Sequence, residues 1–316
     1  LSSNTFGQRT VELATNTDIS QAINGDTIDN GDRTDPNTIY ILEGNGIYPL
    51  SETINIKTAL KIKGDVNEGE ALPKIVPVPD DAGSYPGAIN TQGDIIMENV
   101  YVTNKNGEGN PKWGGFRANG EGTTVRLENV HIEWDKAAAV MLRKDNISVY
   151  MNNCIASKSG NYKEFNGNGR LVDTRSTKAD SIVVTNTTCY LMSDRVIRTM
   201  GGEINYFKFD HNTVFQMQGR HGCLQLGKIH EAVITNNLFQ NPIYGGNHPL
   251  TEEQTQPENT NLYVITMDTA YSDTELEIRN NCIGYTSDVT DFWANVDSVS
   301  KPEVLAPLVK EQLEGN

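Results

Sequence analysis

The sequence predicts an all-β protein, folded as a right-handed parallel β-helix with a short N-terminal capping helix. Two observations support this prediction: one short phrase recurs along the chain, and other short apolar runs separate its copies. The phrase is an apolar strand that ends in Asn and is followed by another apolar residue. It is clearest in residues 182–189, 207–215 and 233–239. Repetition at a period of roughly 20–50 residues is typical of a solenoid.

Further copies of the phrase lie on both sides of this central stretch. Successive copies are separated by 30, 24, 33, 26, 25 and 44 residues. The short intervals match one coil of a parallel β-helix, and the long intervals match a coil that carries a loop. Coils stack because no single coil can bury its apolar face alone. The residues that mark the copies are Asn99, Asn129, Asn153, Asn186, Asn212, Asn237 and Asn281.

Asparagine suits the corner between two strands of a coil. It tolerates a left-handed backbone, and its side-chain amide bonds to nearby backbone groups. Asparagines stacked in register also bond to one another along the helix axis. An antiparallel sandwich with Asn turns is the alternative fold, but it gives no reason for one phrase to recur.

The chain divides into three predicted regions. Residues 1–37 form an N-terminal cap and lead-in, where Asp18 begins a short helix over residues 18–24. This helix is expected to cover the open end of the solenoid. Residues 38–285 form the parallel β-helix, and residues 286–316 form a C-terminal tail or cap. Because the tail shows no clear terminal cap, we expect the chain to be part of a larger surface protein.

Composition restricts the partners of this chain. Its 316 residues carry a net charge of −15, which argues against a nucleic-acid partner, since that partner would require a basic stripe. No run of about 18 apolar residues exists, so no membrane span is expected. The acidic balance fits a secreted or cell-surface protein. Residues 1–10 have neither a basic start nor an apolar core, so we expect any signal peptide to lie upstream.

Four cysteines are too few for a disulfide scaffold. We expect Cys154, Cys189 and Cys282 to occupy the same place in their coils, just after the marker Asn. Cys223 lies in a strand-like run. Buried thiols in apolar ladders are the favoured interpretation, because no CxxC motif and no Cys/His pair occurs at ligand spacing.

Three acidic or basic side chains alternate along one strand: His131, Glu133 and Asp135. Alternation places them on one face of that strand. Such a face can bind a metal or a sugar, but a solvated outer face is the favoured interpretation.

Cations mark a second kind of strand, which precedes the phrase in the central coils. These cations are Arg143, Arg175, Arg198 and Lys228. Equivalent outward side chains in adjacent coils stand about 4.8 Å apart. We therefore expect the four cations to form a basic strip on one outer face, with Asp173 inside the strip and paired to an arginine. An anion-binding surface and a salt-bridged surface ladder both remain open.

The first predicted coil, residues 38–64, contains four short alternating runs with a Gly-x-Tyr at Gly46. This pattern resembles the opening coil of the pectin-lyase-like parallel β-helix superfamily, and the resemblance extends over most of residues 10–285. It implies the fold rather than one activity, because that superfamily includes lyases, hydrolases, epimerases, tailspikes and adhesins.

Two central segments resemble one family within that superfamily, the alginate lyases and chondroitinase B. In that family a coil of the form I-S-x-K-S-x-x-N precedes one of the form L-x-L-R-H-G-N. Here residues 171–176 and 196–199 occupy these places. The resemblance implies β-elimination on a uronate polysaccharide, with Arg175 where the family has its lysine base and Arg198 where it has its arginine. Arginine thus replaces lysine, and the His-Gly pair occurs one coil later, at residues 221–222.

The predicted substrate-binding residues surround these two catalytic candidates. The resemblance implies calcium as a conceivable cofactor, but no ligand set is recognised in the sequence, so the cofactor stays open and no metal ligand is predicted. Tyr162 lies in an insertion among glycines, where it can stack on a sugar ring or pin its own loop to the protein. The predicted substrate-binding set is Arg143, Asp173, Lys228, Gln225, Tyr162, Arg220 and His221.

Three functions remain open on the sequence alone. The first is an extracellular lyase that cleaves a uronate-containing glycan. The second is a non-catalytic protein that binds glycans or adheres through them, and the third is a structural element of a cell-surface assembly. The partner expected for the first two is a polysaccharide of anionic character.

Overall fold

A computed structural model of the chain describes residues 8–30, 32–80, 82–87, 89–109, 111, 114–160, 168–217, 222–242, 264–267 and 269–294. Within these ranges the fold is all-β, with two sheets of parallel strands and two short helices. The all-β prediction is therefore confirmed, and the long parallel sheets are consistent with a parallel β-helix.

The larger sheet has 17 strands in the described chain. Its strands are β1 (Thr10–Leu13), β2 (Ile39–Glu43), β3 (Ile47–Leu50), β5 (Leu60–Asp65), β6 (Lys74–Pro77), β8 (Ile95–Thr103), β10 (Thr124–Glu133), β12 (Ile147–Asn152), β13 (Ile155–Ser157), β15 (Ala179–Thr185), β16 (Thr188–Tyr190), β18 (Glu203–Asp210), β19 (Thr213–Phe215), β21 (Lys228–Thr235), β22 (Leu238–Gln240), β24 (Thr269–Arg279) and β25 (Cys282–Gly284).

The smaller sheet has eight strands in the described chain, each of two to five residues. Its strands are β4 (Asn55–Ile56), β7 (Ile89–Thr91), β9 (Phe116–Ala118), β11 (Ala138–Leu142), β14 (Arg170–Asp173), β17 (Arg195–Arg198), β20 (Leu224–Gln225) and β23 (Ile265–Thr266).

Each strand pairs with its equivalents in the preceding and following repeats, not with its neighbours in sequence. For example, β15 pairs in parallel with β12 and with β18. This register stacks equivalent side chains into rows, and one inward row is buried along its whole length. That row comprises Ile62, Met97, Leu127, Met151, Val184, Phe209 and Ile234. The apolar residues that alternate in the sequence thus form one continuous core.

Each of the four alternating runs predicted in residues 38–64 contains a strand, namely β2, β3, β4 and β5. The predicted N-terminal helix is also confirmed as α1 (Ile19–Gly25). The Asp18 carboxylate caps it by accepting hydrogen bonds from the backbone N–H groups of Ser20 at 2.9 Å and Gln21 at 3.1 Å. A second helix, α2 (Ser287–Ala294), lies in the predicted tail.

Asparagines occupy the corners of the early repeats, as predicted. Asn99, Asn129, Asn153 and Asn186 all have left-handed backbones, with φ between 50° and 55°. Their side chains also form a ladder: the Asn129 amide donates to the Asn99 amide oxygen at 2.8 Å. In the next repeat the left-handed corner is His211, at φ 56°.

In the later repeats the marker asparagine lies one residue after the corner, because the left-handed residues there are His211, Asn236 and Asn280. Asn212, Asn237 and Asn281 follow the corner and form a second, inward ladder. The Asn212 backbone N–H donates to the Asn237 side chain at 2.8 Å, and the Asn237 backbone N–H donates to the Asn281 side chain at 3.1 Å. The prediction of stacked asparagines is confirmed, but the alignment of these three with Asn186 was wrong.

The cysteines are free and are not equivalent to one another. Cys154, Cys189 and Cys223 are buried, as predicted, whereas Cys282 is exposed. The expectation of one shared place was wrong, because Cys189 pairs with Ala156 while Cys282 pairs with a residue in a different row, Leu238.

Candidate functional site

The eight-stranded sheet presents one continuous row of outward side chains. Their neighbours along each strand, such as Ile56 and Ala118, are buried in the core. Parallel pairing sets adjacent members of the row about 4.8 Å apart. In order, the row comprises Asn55, Asn90, Arg117, Met141, Asp173, Arg198, Gln225 and Thr266.

The first half of this row forms the floor of a surface depression of about 480 Å³, here called the basic depression. Its lining has three cations and four amide side chains, and none of these lining residues is acidic. It is therefore a local concentration of positive charge on a chain whose net charge is −15. The lining residues are Asn55, Ile56, Lys57, Asn90, Thr91, Gln92, Arg117, Asn119 and Arg143.

Hydrogen bonds hold the amides of the basic depression in place. The Asn90 side-chain amide donates to the Asn55 side-chain oxygen at 2.9 Å, and the Asn119 amide donates to the Arg117 carbonyl at 3.0 Å. Two buried atoms, Asn90 Oδ1 and Arg117 Nε, have no hydrogen-bond partner among the described residues. Both atoms are therefore uncompensated within the described part of the chain.

The pKa of the Arg117 side chain is shifted by its surroundings. Burial lowers the pKa of Arg117, and the neighbouring Arg143 and Arg175 lower it further, while Asp135 acts in the opposite direction. Arg143 and Arg175 therefore lie close enough to repel Arg117. An anion bound here would relieve that repulsion.

The second half of the row carries the arginine–aspartate network, defined as Arg170, Asp173, Asp194, Arg195 and Arg198. Both carboxylates are fully buried. Asp194 accepts from Arg170 Nε at 2.6 Å and from Arg195 Nε at 2.9 Å. Asp173 lies 3.4 Å from Arg170 Nη1 and 3.5 Å from Arg198 Nη1. Three cations thus share two buried carboxylates.

Further contacts tie this network to the adjacent strands. Asp173 Oδ1 also accepts from the Arg175 backbone N–H at 3.0 Å, and Arg195 Nη1 donates to the Gln225 side-chain oxygen at 2.7 Å. Burial lowers the pKa of Arg198, and the neighbouring Arg170 adds to the shift while Asp173 opposes it. Most of the charge in this half is already compensated within the protein.

The four cations of the predicted basic strip lie in different parts of the structure. Arg198 faces Asp173 across β14 and β17, so the prediction that Asp173 pairs with an arginine is confirmed. The single ladder of four cations was wrong. Arg143 lines the basic depression, and Arg175 is an exposed corner residue with φ 54°. Lys228 begins a strand of the larger sheet and pairs with Glu203.

Of the remaining predicted site residues, the structure describes only Gln225. Gln225 lies in the outward row and bonds to the network. Tyr162, Arg220 and His221 fall outside the described residues.

The solvated face expected for His131, Glu133 and Asp135 was wrong, because Glu133 and Asp135 are buried. Glu133 accepts hydrogen bonds from the Tyr101 hydroxyl and, at 2.9 Å, from Lys158 Nζ. Burial alone would raise the pKa of Glu133, but these bonds outweigh it and lower the pKa. Burial raises the pKa of Asp135 well above its ordinary value.

Sequence reasoning missed Lys57, Asn90, Arg117 and Asn119. These residues lie in or directly after β4, β7 and β9, which have only two or three residues and are too short for an alternating pattern to show. Their place becomes apparent only from the strand register in the structure, in which Met141 pairs with Arg117 and Arg117 pairs with Asn90.

No family model and no curated protein matches this chain. Among the residues that the structure describes, no group of three or more His, Cys, Asp and Glu side chains is arranged to hold a metal ion. In the same part of the chain, no helix combines the length and apolarity that crossing a membrane requires.

Proposed function

We propose that this chain is a secreted or cell-surface protein that binds an anionic polysaccharide on the outer face of its eight-stranded sheet. We propose further that its fold is a right-handed parallel β-helix of the pectin-lyase-like kind. One observation carries the functional proposal: the basic depression is lined by three cations and no carboxylate.

Charge supports an anionic ligand. Like charges held close together cost free energy, and proteins usually offset that cost with nearby carboxylates, as in the arginine–aspartate network. Arg117 and Arg143 have no carboxylate beside them in the lining of the depression. A carboxylate or sulfate group of a ligand would supply the missing negative charge, and field focusing within a concave site would attract it from solution.

Hydrogen-bonding capacity supports a sugar. The amides of Asn55, Asn90, Gln92 and Asn119 both donate and accept, as sugar hydroxyls do. A polysaccharide that alternates hydroxyl and acidic groups therefore matches this mixed lining better than a small inorganic anion does.

The shape of the row supports an extended ligand. Eight strands at about 4.8 Å spacing give an outward row roughly 34 Å long. Polar side chains recur along most of it, from Asn55 to Thr266. Because Met141, Asp173 and Thr266 are buried, the part of the row open to a polymer runs from Asn55 to Arg117 and continues at the partly exposed Arg198 and Gln225.

A second candidate function is cleavage of the same polymer by β-elimination. It requires one group that neutralises the uronate carboxylate and another that removes the adjacent ring proton. The specific observation is Arg198, which is only partly buried and whose pKa is lowered by burial and by Arg170. Arg175 is the other candidate base. Binding is the better-supported function, because the high pKa of arginine makes it a poor base.

The experiment is a panel of alginate, pectate, chondroitin and ulvan, with retardation in affinity electrophoresis as the measure of binding. We expect wild type to be retarded by at least one glycan. The triple variant Lys57→Gln, Arg117→Gln and Arg143→Gln should lose at least about 10-fold in affinity, because the loss of even one charge-assisted contact costs on the order of 1.5–3 kcal/mol. No retardation of wild type, or equal retardation of the triple variant, would contradict the proposal.

The matched control replaces three cations on the larger sheet: Lys61→Gln, Lys63→Gln and Arg126→Gln. They change net charge equally and should leave retardation nearly unchanged. The same reactions test cleavage, because elimination leaves an unsaturated sugar that absorbs ultraviolet light. If absorbance grows with wild type, Arg198→Ala should abolish the growth while circular dichroism shows an intact fold; persistent growth would remove Arg198 from the mechanism.

A further inference from the structure

Four cations on the eight-stranded sheet have no ion partner. Lys57, Arg117 and Arg143 line the basic depression, and Arg175 is exposed just beyond β14. In the part of the chain that the structure describes, none of the four forms a salt bridge. Arg143 and Arg175 both lower the pKa of Arg117, so both lie within electrostatic reach of it. The group of unpaired cations therefore extends beyond the depression, as far as Arg175.

The residues that follow β4, β7, β9 and β11 form a second outward column beside the row, here called the outer column. Backbone hydrogen bonds continue the parallel register into it, such as that from the Arg143 N–H to the Ala118 carbonyl at 2.9 Å. Met141 pairs with Asp173, so Arg175 stands in register with Arg143. In order, the outer column comprises Lys57, Gln92, Asn119, Arg143, Arg175 and Met200.

The outer column stays open to solvent where the row does not. Met141 and Asp173 in the row are buried, whereas Arg143 and Arg175 beside them are exposed. An extended ligand can therefore continue past the buried part of the row by following the outer column.

The strand spacing sets the distances between these cations. Parallel strands stand about 4.8 Å apart, so the backbones at Lys57 and Arg143 are about 14 Å apart and Arg175 lies one strand further on. Arg117 lies in the row, on the strand before that of Arg143. Cations thus occupy the first, third, fourth and fifth strands of the sheet, and the sixth carries the exposed, apolar Met200.

A second surface depression, of about 590 Å³, restricts how an anionic chain can lie. Its described lining includes Asp18, Glu52 and Asp80 but no basic residue, and it is here called the acidic depression. Thr53 lines it just before β4, whereas Lys57 lines the basic depression just after β4. A polyanion laid along the strands would run from cations into carboxylates. One laid across the strands stays on the outer column.

We propose that the site takes a run of about five sugars, one over each strand, from a polysaccharide that carries an acidic group on every sugar. Arg175 is the contact at the far end of this run. The inference rests on the proposed function, the binding of an anionic glycan.

The spacing of the acidic groups follows from the cations. One sugar of an extended polysaccharide advances its chain by close to one strand spacing, about 4.8 Å. Arg117, Arg143 and Arg175 lie on three consecutive strands, so they match acidic groups on three consecutive sugars. A glycan with an acidic group on every second sugar would leave at least one of these arginines unmatched.

The test is isothermal titration calorimetry with oligosaccharides of increasing length from pectate and from alginate, in which every sugar is acidic. Affinity for wild type should rise with length up to about five sugars and then stay constant. Hyaluronan oligosaccharides, in which every second sugar is acidic, serve as the comparison at equal numbers of acidic groups. They should bind about 10-fold more weakly, because one contact is lost.

Arg175→Gln tests the far end of the run. In this variant affinity should level off at about four sugars, and shorter oligosaccharides should bind as they do to wild type. Arg175→Lys keeps the charge and should behave like wild type. The matched control Lys61→Gln removes one charge from β5 of the larger sheet and should keep the wild-type dependence on length.

The outcomes separate this inference from the proposed function. The inference would be overturned, with glycan binding intact, by equal affinity for hyaluronan, by an affinity that keeps rising with every added sugar, or by an unchanged dependence on length in Arg175→Gln. Binding of no acidic oligosaccharide would overturn the proposed function and the inference together.

Discussion

Arginines occur in both halves of the outward row, but only those of the second half are paired with buried carboxylates. In the first half, Arg117 and Arg143 stand with Lys57 among amides, and the lining contains no carboxylate. In the second half, Asp173 and Asp194 are fully buried beneath the arginines that they neutralise. Both halves lie on one sheet at one spacing, so their difference comes from side chains alone.

This difference separates charges kept for a ligand from charges used for structure. A buried carboxylate between arginines compensates them internally and leaves little attraction for an outside anion. An uncompensated group of cations costs stability but retains its attraction. The first half is therefore the better candidate for binding, although the resemblance to a lyase family favours Arg198 in the second half.

The largest effect should follow from breaking the compensated half. Asp194→Asn leaves Arg170 and Arg195 buried without their shared charge, and we expect a loss of about 3–5 kcal/mol in the free energy of unfolding. Urea denaturation measures it. The exposed control Asp65→Asn should change stability by less than about 0.5 kcal/mol. A loss below about 1 kcal/mol in Asp194→Asn would show that the network is not structural.

A smaller effect should follow from making the first half resemble the second. Asn90→Asp places a carboxylate next to Arg117 in the row. It should reduce glycan affinity about 10-fold, or roughly 1.4 kcal/mol, while the protein stays folded. Asn37→Asp, an exposed site outside the depression, is the matched control and should leave the affinity nearly unchanged. Unchanged affinity in Asn90→Asp would place the ligand elsewhere.

Lowering the pH should reduce the stability of the fold but leave glycan affinity unchanged. Burial lowers the pKa of His131, and the nearby Lys158 and Lys74 add to this while Glu133 opposes it. The unfolded chain therefore takes up a proton more readily than the folded one. Stability should be highest above a pH of about 6.5 and should decline as the pH falls from there towards the lowered pKa.

His131→Phe isolates this contribution. The ring of His131 stacks on Tyr101 at a centroid distance of 4.3 Å, and phenylalanine keeps the stack without titrating. Its stability should decline less than that of wild type when urea denaturation is repeated at pH values of about 7.5, 6.5 and 5.5. Glycan affinity should stay constant over this range, because the cations of the depression are lysine and arginine. Equal decline in both proteins would remove the assignment to His131.

The smallest effect should come from removing one cation from the uncompensated half. Arg143→Gln should change the free energy of unfolding by less than about 0.5 kcal/mol, with any change towards greater stability, because it relieves repulsion of Arg117. Urea denaturation beside Asp194→Asn measures the contrast. A loss comparable with that of Asp194→Asn would erase the distinction between the two halves.

The sequence predicted the repeat because Asn at a left-handed corner is a local requirement that recurs in every coil, as at Asn99 and Asn129. It misaligned the later coils because His211 meets the same backbone requirement without being asparagine, and because the corners Asn236 and Asn280 are each followed by a second asparagine. The sequence therefore predicts which residue types occupy the corners, but it does not predict the exact register of the strands.

The candidate site depended on that register and was predicted only in part. Arg143, Asp173 and Arg198 lie on or beside the outward row, but the row's order depends on loops of unequal length between short strands. Lys228 illustrates the problem: it follows Gln225 closely in sequence, yet it pairs with Glu203 in the other sheet. Burial of Asp194 beneath two arginines had no sequence signal at all.

The most direct test of the account is a crystal structure of the protein with an acidic oligosaccharide from the glycan that retards it most. The account predicts an acidic group of the sugar within hydrogen-bond distance of Arg117 or Arg143, with hydroxyls on the amides of Asn90 and Asn119. A sugar bound instead to the arginine–aspartate network, or to the larger sheet, would contradict the account.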